Sequence, residues 1–95
     1  MDQAQFQASL AGDMLPAGLS EHLQALWWLG HGEPERAHRL VQGLEDAGAA
    51  AIHALVHRLE GDLENARYWY GRAGVPFCDD PPEQEWQQLV QRFVQ

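Results

Sequence analysis

The stretch AAIHALVHRLEGDLENARYWYGRAG, residues 50–74, decides the fold of this chain. Apolar residues recur at spacings of three and four before Gly61, at Ile52, Leu55, Val56 and Leu59, and again after it, at Leu63, Ala66, Tyr70 and Ala73. Such spacing is typical of a helix with one buried face. Gly61 interrupts the pattern, and Asp62 is a residue type that caps a helix start. The stretch therefore predicts two helices joined by a tight turn.

A shorter pattern around this turn occurs twice. Residues 32–37, GEPERA, and residues 61–66, GDLENA, share glycine, an acid, glutamate and alanine at matching positions, and the two copies start 29 residues apart. A single helix pair cannot bury its apolar face alone, so a second pair stacked on it completes a core. The repeat predicts at least two helix pairs.

The second copy resembles the turn and second helix of the tetratricopeptide repeat, in which the alanine is followed by an aromatic residue and then by another alanine. Ala66, Tyr70 and Ala73 match that motif, whereas Val41 and Leu44 occupy the last two places in the first copy. The resemblance implies stacked helix pairs and a ligand groove along the first helix of each pair. The residues that would line this groove, together with Arg58, are His22, Leu26, Leu29, Ala51 and Leu55.

A longer run is similar to one found in uncharacterised bacterial proteins. It has the form H-R-x-E-G-D-x-x-N-A-x-Y-W-Y-x-R-A-G and spans residues 57–74. No activity accompanies that similarity. It draws attention to this part of the chain without naming a substrate.

The whole chain is expected to be all-α, because no segment alternates apolar and polar residues as a strand does. Apolar periodicity, glycine, proline and capping residues predict helices near 2–11, 20–30, 34–46, 49–60, 63–73 and 81–94. Ser20 and Asp80 are the predicted caps of the second and last helices. We expect five to six antiparallel helices in one domain, residues 1–95, with the last helix capping the repeat pairs.

Charge and composition exclude several functions. The formal net charge is −8 and the arginines are scattered along the chain, so nucleic acid and anionic membranes are poor partners. The chain has no lysine and a single cysteine, which removes Schiff-base chemistry and an intrachain disulfide. The amino terminus is polar and acidic and no segment is long enough to span a bilayer, so we expect a cytoplasmic protein. We expect no cofactor.

Polar residues gather around the turn between the two best-matched helices. The candidate ligand-binding residues are His57, Arg58, Glu60, Asp62, Asn65, Tyr68 and Arg72. On a helix, residues 65, 68 and 72 share one face, which is offset from the apolar stripe and could receive a polar ligand. The simpler interpretation is that Asp62 caps its helix and the other groups form surface pairs.

His53 and His57 are four residues apart on one predicted helix, close enough to share a metal ion. The segment lacks the glutamate that follows the first histidine in zinc peptidases, and no further ligand is evident in the sequence. Histidines beside an apolar stripe are more often hydrogen-bonded packing residues. The sequence therefore favours packing over a metal site here.

Two functional hypotheses follow. The first is a non-enzymatic interaction module that binds a protein, a peptide or a small ligand, or that associates with itself. The alternative is a metal-dependent or acid–base enzyme or binder that uses the turn region of His57, Glu60 and Asp62. The sequence favours the first, because residues suited to covalent catalysis are scarce.

Overall fold

The computed structural model describes residues 1–94, and six α-helices form their regular structure. In chain order the helices are α1 Gln3–Ser9, α2 Glu21–Gly30, α3 Pro34–Gln42, α4 Ala47–Leu59, α5 Leu63–Ala73 and α6 Pro82–Phe93. The described residues contain no strand, which confirms the prediction of an all-α fold with five to six helices. Among these helices, none combines the length and apolar character needed to cross a bilayer.

Two of the predicted helix starts are capped as the sequence indicates. The Ser20 hydroxyl accepts a hydrogen bond from the Leu23 amide at 3.2 Å, and the Asp62 carboxylate accepts one from the Asn65 amide at 3.3 Å. Each bond satisfies one of the amides that have no partner inside the first turn. Gly74 ends α5 in the left-handed region, at φ 75°, where a residue with a Cβ would be strained.

The boundary between α3 and α4 differs from the prediction. The sequence predicted one helix to residue 46 and the next from residue 49, but α3 ends at Gln42 and α4 begins at Ala47. The earlier start of α4 has its reason in an N-cap that the sequence interpretation missed: the Asp46 carboxylate accepts a hydrogen bond from the Ala49 amide at 3.3 Å.

Asp80 does not cap α6, which corrects another expectation. The N-cap position belongs to Pro81, and no side chain caps this helix. The Asp80 carbonyl accepts a hydrogen bond from Arg58 instead. The start of α6 is therefore attached to α4 through the backbone of Asp80.

Consecutive helices from α2 to α5 pack against one another, and α6 returns to pack on α2 and α4. The Trp86 indole of α6 donates a hydrogen bond to the Leu26 carbonyl of α2 at 2.7 Å. Gly30 allows this close approach, because a Cβ at that position would lie 2.7 Å from Trp86 Cζ2. The core between these helices contains completely buried large side chains: Phe6, Leu26, Trp27, Ile52, Leu55, Val56 and Val90.

Candidate metal centre

Three histidines from two helices meet beside α5. His53 and His57 lie one turn apart on α4, and His38 approaches them from α3. Each offers one potential ligand atom, and the three atoms lie within 4.8 Å of one another. The Nε2 atoms of His38 and His53 are 2.9 Å apart, which is hydrogen-bond distance. We call His38, His53 and His57 the histidine cluster.

His53 is the buried member of the histidine cluster. His53 is only 3% exposed, and its ring stacks on the Trp69 ring with centroids 3.8 Å apart and planes 13° from parallel. Burial, followed by repulsion from His38 and His57 when those rings are charged, lowers the pKa of His53 to about 4. At neutral pH His53 is therefore a neutral imidazole, the form that binds metal ions.

His57 contacts a carboxylate at the rim of the cluster. Its Nδ1 atom lies 3.0 Å from Glu60 Oε1, but the alignment of the two groups falls outside hydrogen-bond geometry. Within residues 1–94, the buried side-chain nitrogens without a hydrogen-bond partner are His57 Nδ1 and His53 Nδ1. Most buried polar atoms in folded proteins are partnered, so two such nitrogens in one cluster require an explanation.

The structure separates the seven polar residues that the sequence grouped around the turn. Asp62 and Asn65 bind each other, since the Asn65 side-chain amide donates to the Asp62 carboxylate at 2.7 Å. Hydrogen bonds from the Asn65 side chain and backbone lower the pKa of Asp62. Arg72 donates to the exposed Tyr68 hydroxyl at 3.1 Å. These four residues make a helix cap and a surface pair, whereas His57 and Glu60 belong to the histidine cluster.

Arg58 extends away from the histidine cluster toward α6. Its Nη1 atom donates to Glu85 Oε1 at 2.7 Å, and the Tyr70 hydroxyl is 2.7 and 2.8 Å from the two oxygens of the same carboxylate. All three side chains are buried or nearly so. Burial and the bond to Glu85 raise the pKa of Tyr70. We call Arg58, Tyr70 and Glu85 the α6 anchor, because it ties the last helix to α4 and α5.

The groove expected from the tetratricopeptide resemblance is not open. The predicted lining residues that are buried in the core are Leu26, Leu29, Ala51 and Leu55. α6 covers this face through Trp86, Leu89 and Val90, which belong to the same core. His22 remains partly exposed and its Nε2 atom is 2.7 Å from Asp46 Oδ2. Four of the predicted lining residues are therefore core residues beneath α6 and do not line an open surface.

Sequence interpretation missed His38, Trp69 and Glu85 as members of polar sites. His38 lies 15 residues before His53, and no local spacing connects them. One signal was available: a short connection between two helices makes them neighbours in space, so histidines on α3 and α4 can meet. The predicted helices 34–46 and 49–60 already contained all three histidines, but periodicity does not show which residues of two neighbouring helices meet.

Comparison with protein-family models, curated proteins and solved structures gives no significant match for this chain. The tetratricopeptide resemblance therefore remains a prediction.

Proposed function

We propose that this chain binds one divalent transition-metal ion through His38, His53 and His57. The observation that supports the proposal is the convergence of three imidazole nitrogens within 4.8 Å of one another. Imidazole is the commonest nitrogen ligand of zinc and also suits copper, nickel and cobalt. From the sequence alone, His53 and His57 were a weak candidate pair of metal ligands, and the proposal adds His38 to them.

The present distances between the histidine nitrogens are close to the distances between ligand atoms around a bound metal ion. Two nitrogens bound at about 2.0–2.1 Å to a tetrahedral zinc ion are about 3.4 Å apart. His38 and His53, at 2.9 Å, would separate slightly, and the remaining ligand atom would move inward by roughly an ångström.

Two features around the cluster support metal binding over a purely structural role. His53 is neutral at neutral pH, so no proton competes with the ion there. Glu60 Oε1 lies 3.0 Å from His57 Nδ1, so a small rotation of either side chain would form the hydrogen bond by which a carboxylate orients a ligating histidine and raises its basicity. An ion or a reoriented ring would also account for the unpartnered ring nitrogens.

Calorimetric titration of the untagged, chelator-treated protein with Zn²⁺ tests the proposal. We expect one ion per chain. Loss of a carboxylate behind a ligating histidine costs about 10- to 100-fold in affinity, so His38→Gln, which removes a proposed ligand, is expected to cost at least as much. The matched control is His31→Gln, because His31 lies outside the cluster and contacts Gly12 and Glu33. Equal Zn²⁺ affinity in the folded His38→Gln variant and the wild type would refute the site, as would no binding by the wild type.

A second candidate function is the interaction module expected from the sequence. It is favoured by an apolar hollow of about 310 Å³ on the surface, whose lining includes Leu10, Leu29, Leu59, Pro82 and Trp86. Leu59 is 49% exposed although it is a large apolar side chain. Exposed apolar surface of this kind often marks a contact with another protein.

Cross-linking followed by mass spectrometry tests the second candidate with two matched variants. Leu59→Asp places a charge in the hollow, whereas Val75→Asp places one on a similarly exposed residue that does not line it. We expect a partner of the wild type to be lost from the first variant and kept by the second. Identical cross-linked species for all three proteins would count against a docking role for the hollow.

A further inference from the structure

The histidine cluster supplies three ligands, one fewer than a closed site requires. Structural zinc sites usually fill four tetrahedral positions with protein side chains, whereas open sites have three protein ligands and leave the fourth position to water or substrate. Among the described residues, the set of side chains close enough to share an ion has three members, His38, His53 and His57. No fourth protein ligand from that part of the chain is in place.

Glu60 contacts the cluster without joining it. Its carboxylate lies 3.0 Å from Nδ1 of His57, but Glu60 is not among the residues whose potential ligand atoms lie within 4.8 Å of one another. If Nδ1 faces the carboxylate, Nε2 is the nitrogen left for an ion. A hydrogen bond formed across this contact when an ion binds would make Glu60 a positioning residue for His57.

The residues of the histidine cluster and its neighbours differ in their exposure to solvent. On one side, the Trp69 ring covers His53 at a centroid distance of 3.8 Å. On the other side, the His57 side chain is 12% exposed and the Glu60 side chain is 41% exposed. Solvent therefore meets the cluster at His38 and His57, which are both partly exposed, whereas Trp69 covers His53.

The charge of a bound ion and its ligands determines which kind of molecule would bind at the fourth position. Three neutral imidazoles leave the double positive charge of an ion uncompensated by any ligand, and a bound cation is then the dominant charge of the site. We infer, as an extension of the proposed metal site, that the fourth coordination position is open and binds a small monodentate anion from solution. The anion completes a tetrahedral set with His38, His53 and His57.

Cobalt(II) and azide test this inference directly. The visible absorption of Co²⁺ depends on the number and type of its ligands, so the full chain loaded with one equivalent of Co²⁺ is titrated with sodium azide. Sodium perchlorate at the same ionic strength is the control. We expect azide, and not perchlorate, to shift the visible bands in a saturable manner with one azide per cobalt ion.

Each outcome decides a different point. If Co²⁺ binds and azide leaves the spectrum unchanged, the fourth position is not open and the inference fails while the proposed metal site stands. The variant Glu60→Ala then identifies the cause, because an azide response gained in Glu60→Ala and not in the control Glu83→Ala would make Glu60 the fourth ligand. If the wild type does not bind Co²⁺ or Zn²⁺, the proposed function fails and the inference fails with it.

Discussion

Replacing Arg58 by methionine removes the positive partner from the α6 anchor and should destabilise the protein strongly. The Glu85 carboxylate is 7% exposed and accepts hydrogen bonds from Arg58 and from Tyr70. Without Arg58 this carboxylate is a buried charge that keeps one phenol donor, and breaking a buried ion pair by removing one partner costs about 3–5 kcal/mol. The Asp80 carbonyl also loses its donor.

A loss of that size is a large share of the total stability of a small domain, about 5–15 kcal/mol. Urea unfolding followed by circular dichroism measures it for Arg58→Met beside the matched control Arg39→Met. Arg39 is exposed and makes no ion pair in the described residues, so its replacement should change the free energy of unfolding by less than about 0.5 kcal/mol.

The double variant Arg58→Met with Glu85→Met separates the ion pair from simple packing. Removing both charges leaves no unpaired ion, so the double variant should be more stable than Arg58→Met alone even though it carries one more substitution. The reasoning is refuted if Arg58→Met costs no more than Arg39→Met. It is also refuted if the double variant is as unstable as the sum of its two single variants.

Two further predictions concern His53 and Gly30. In the metal-free folded protein the pKa of His53 is about 4, below its ordinary value of 6.5. The unfolded state therefore binds the proton more readily than the folded state. The free energy of unfolding should fall by up to about 3 kcal/mol as the pH drops from about 6.5 to 4. Unfolding curves at several pH values should show this slope, and His53→Phe should flatten it; an equal slope in that variant would contradict the assignment. Gly30→Ala places a Cβ 2.7 Å from Trp86 Cζ2 and should cost about 1–3 kcal/mol, measured by thermal unfolding, whereas Gly12→Ala, whose Cβ would have ordinary contacts, should not.

The helices were largely predictable because the apolar spacing and the capping residues of each helix lie within it or next to it in the sequence. The two helices of residues 50–74 and the caps Ser20 and Asp62 appear in the structure where the sequence places them. Leu59 and Leu63, which the sequence placed on the buried stripe, are instead about half exposed beside the turn. Errors arose where two local signals competed. Gly48 resembled a helix end, but Asp46 satisfies the first-turn amide of Ala49, so α4 starts two residues earlier than predicted.

The candidate site was predictable only in part, because its members come from different helices. His53 and His57 were visible as a pair through their spacing on one helix, whereas His38 reaches them only through the packing of α3 on α4. The same holds for Arg58, which the sequence placed in the turn and the structure directs to Glu85, 27 residues further along the chain. Periodicity shows which face of a helix is buried, but it does not show which helix covers that face.

The location of a bound zinc ion tests the central claim most directly. Crystals of the one-to-one Zn²⁺ complex, measured at the zinc absorption edge, should show one anomalous peak about 2.0–2.1 Å from a nitrogen of each of His38, His53 and His57. A peak at another position, such as His22 and Asp46, or no peak at the histidine cluster, would contradict the account.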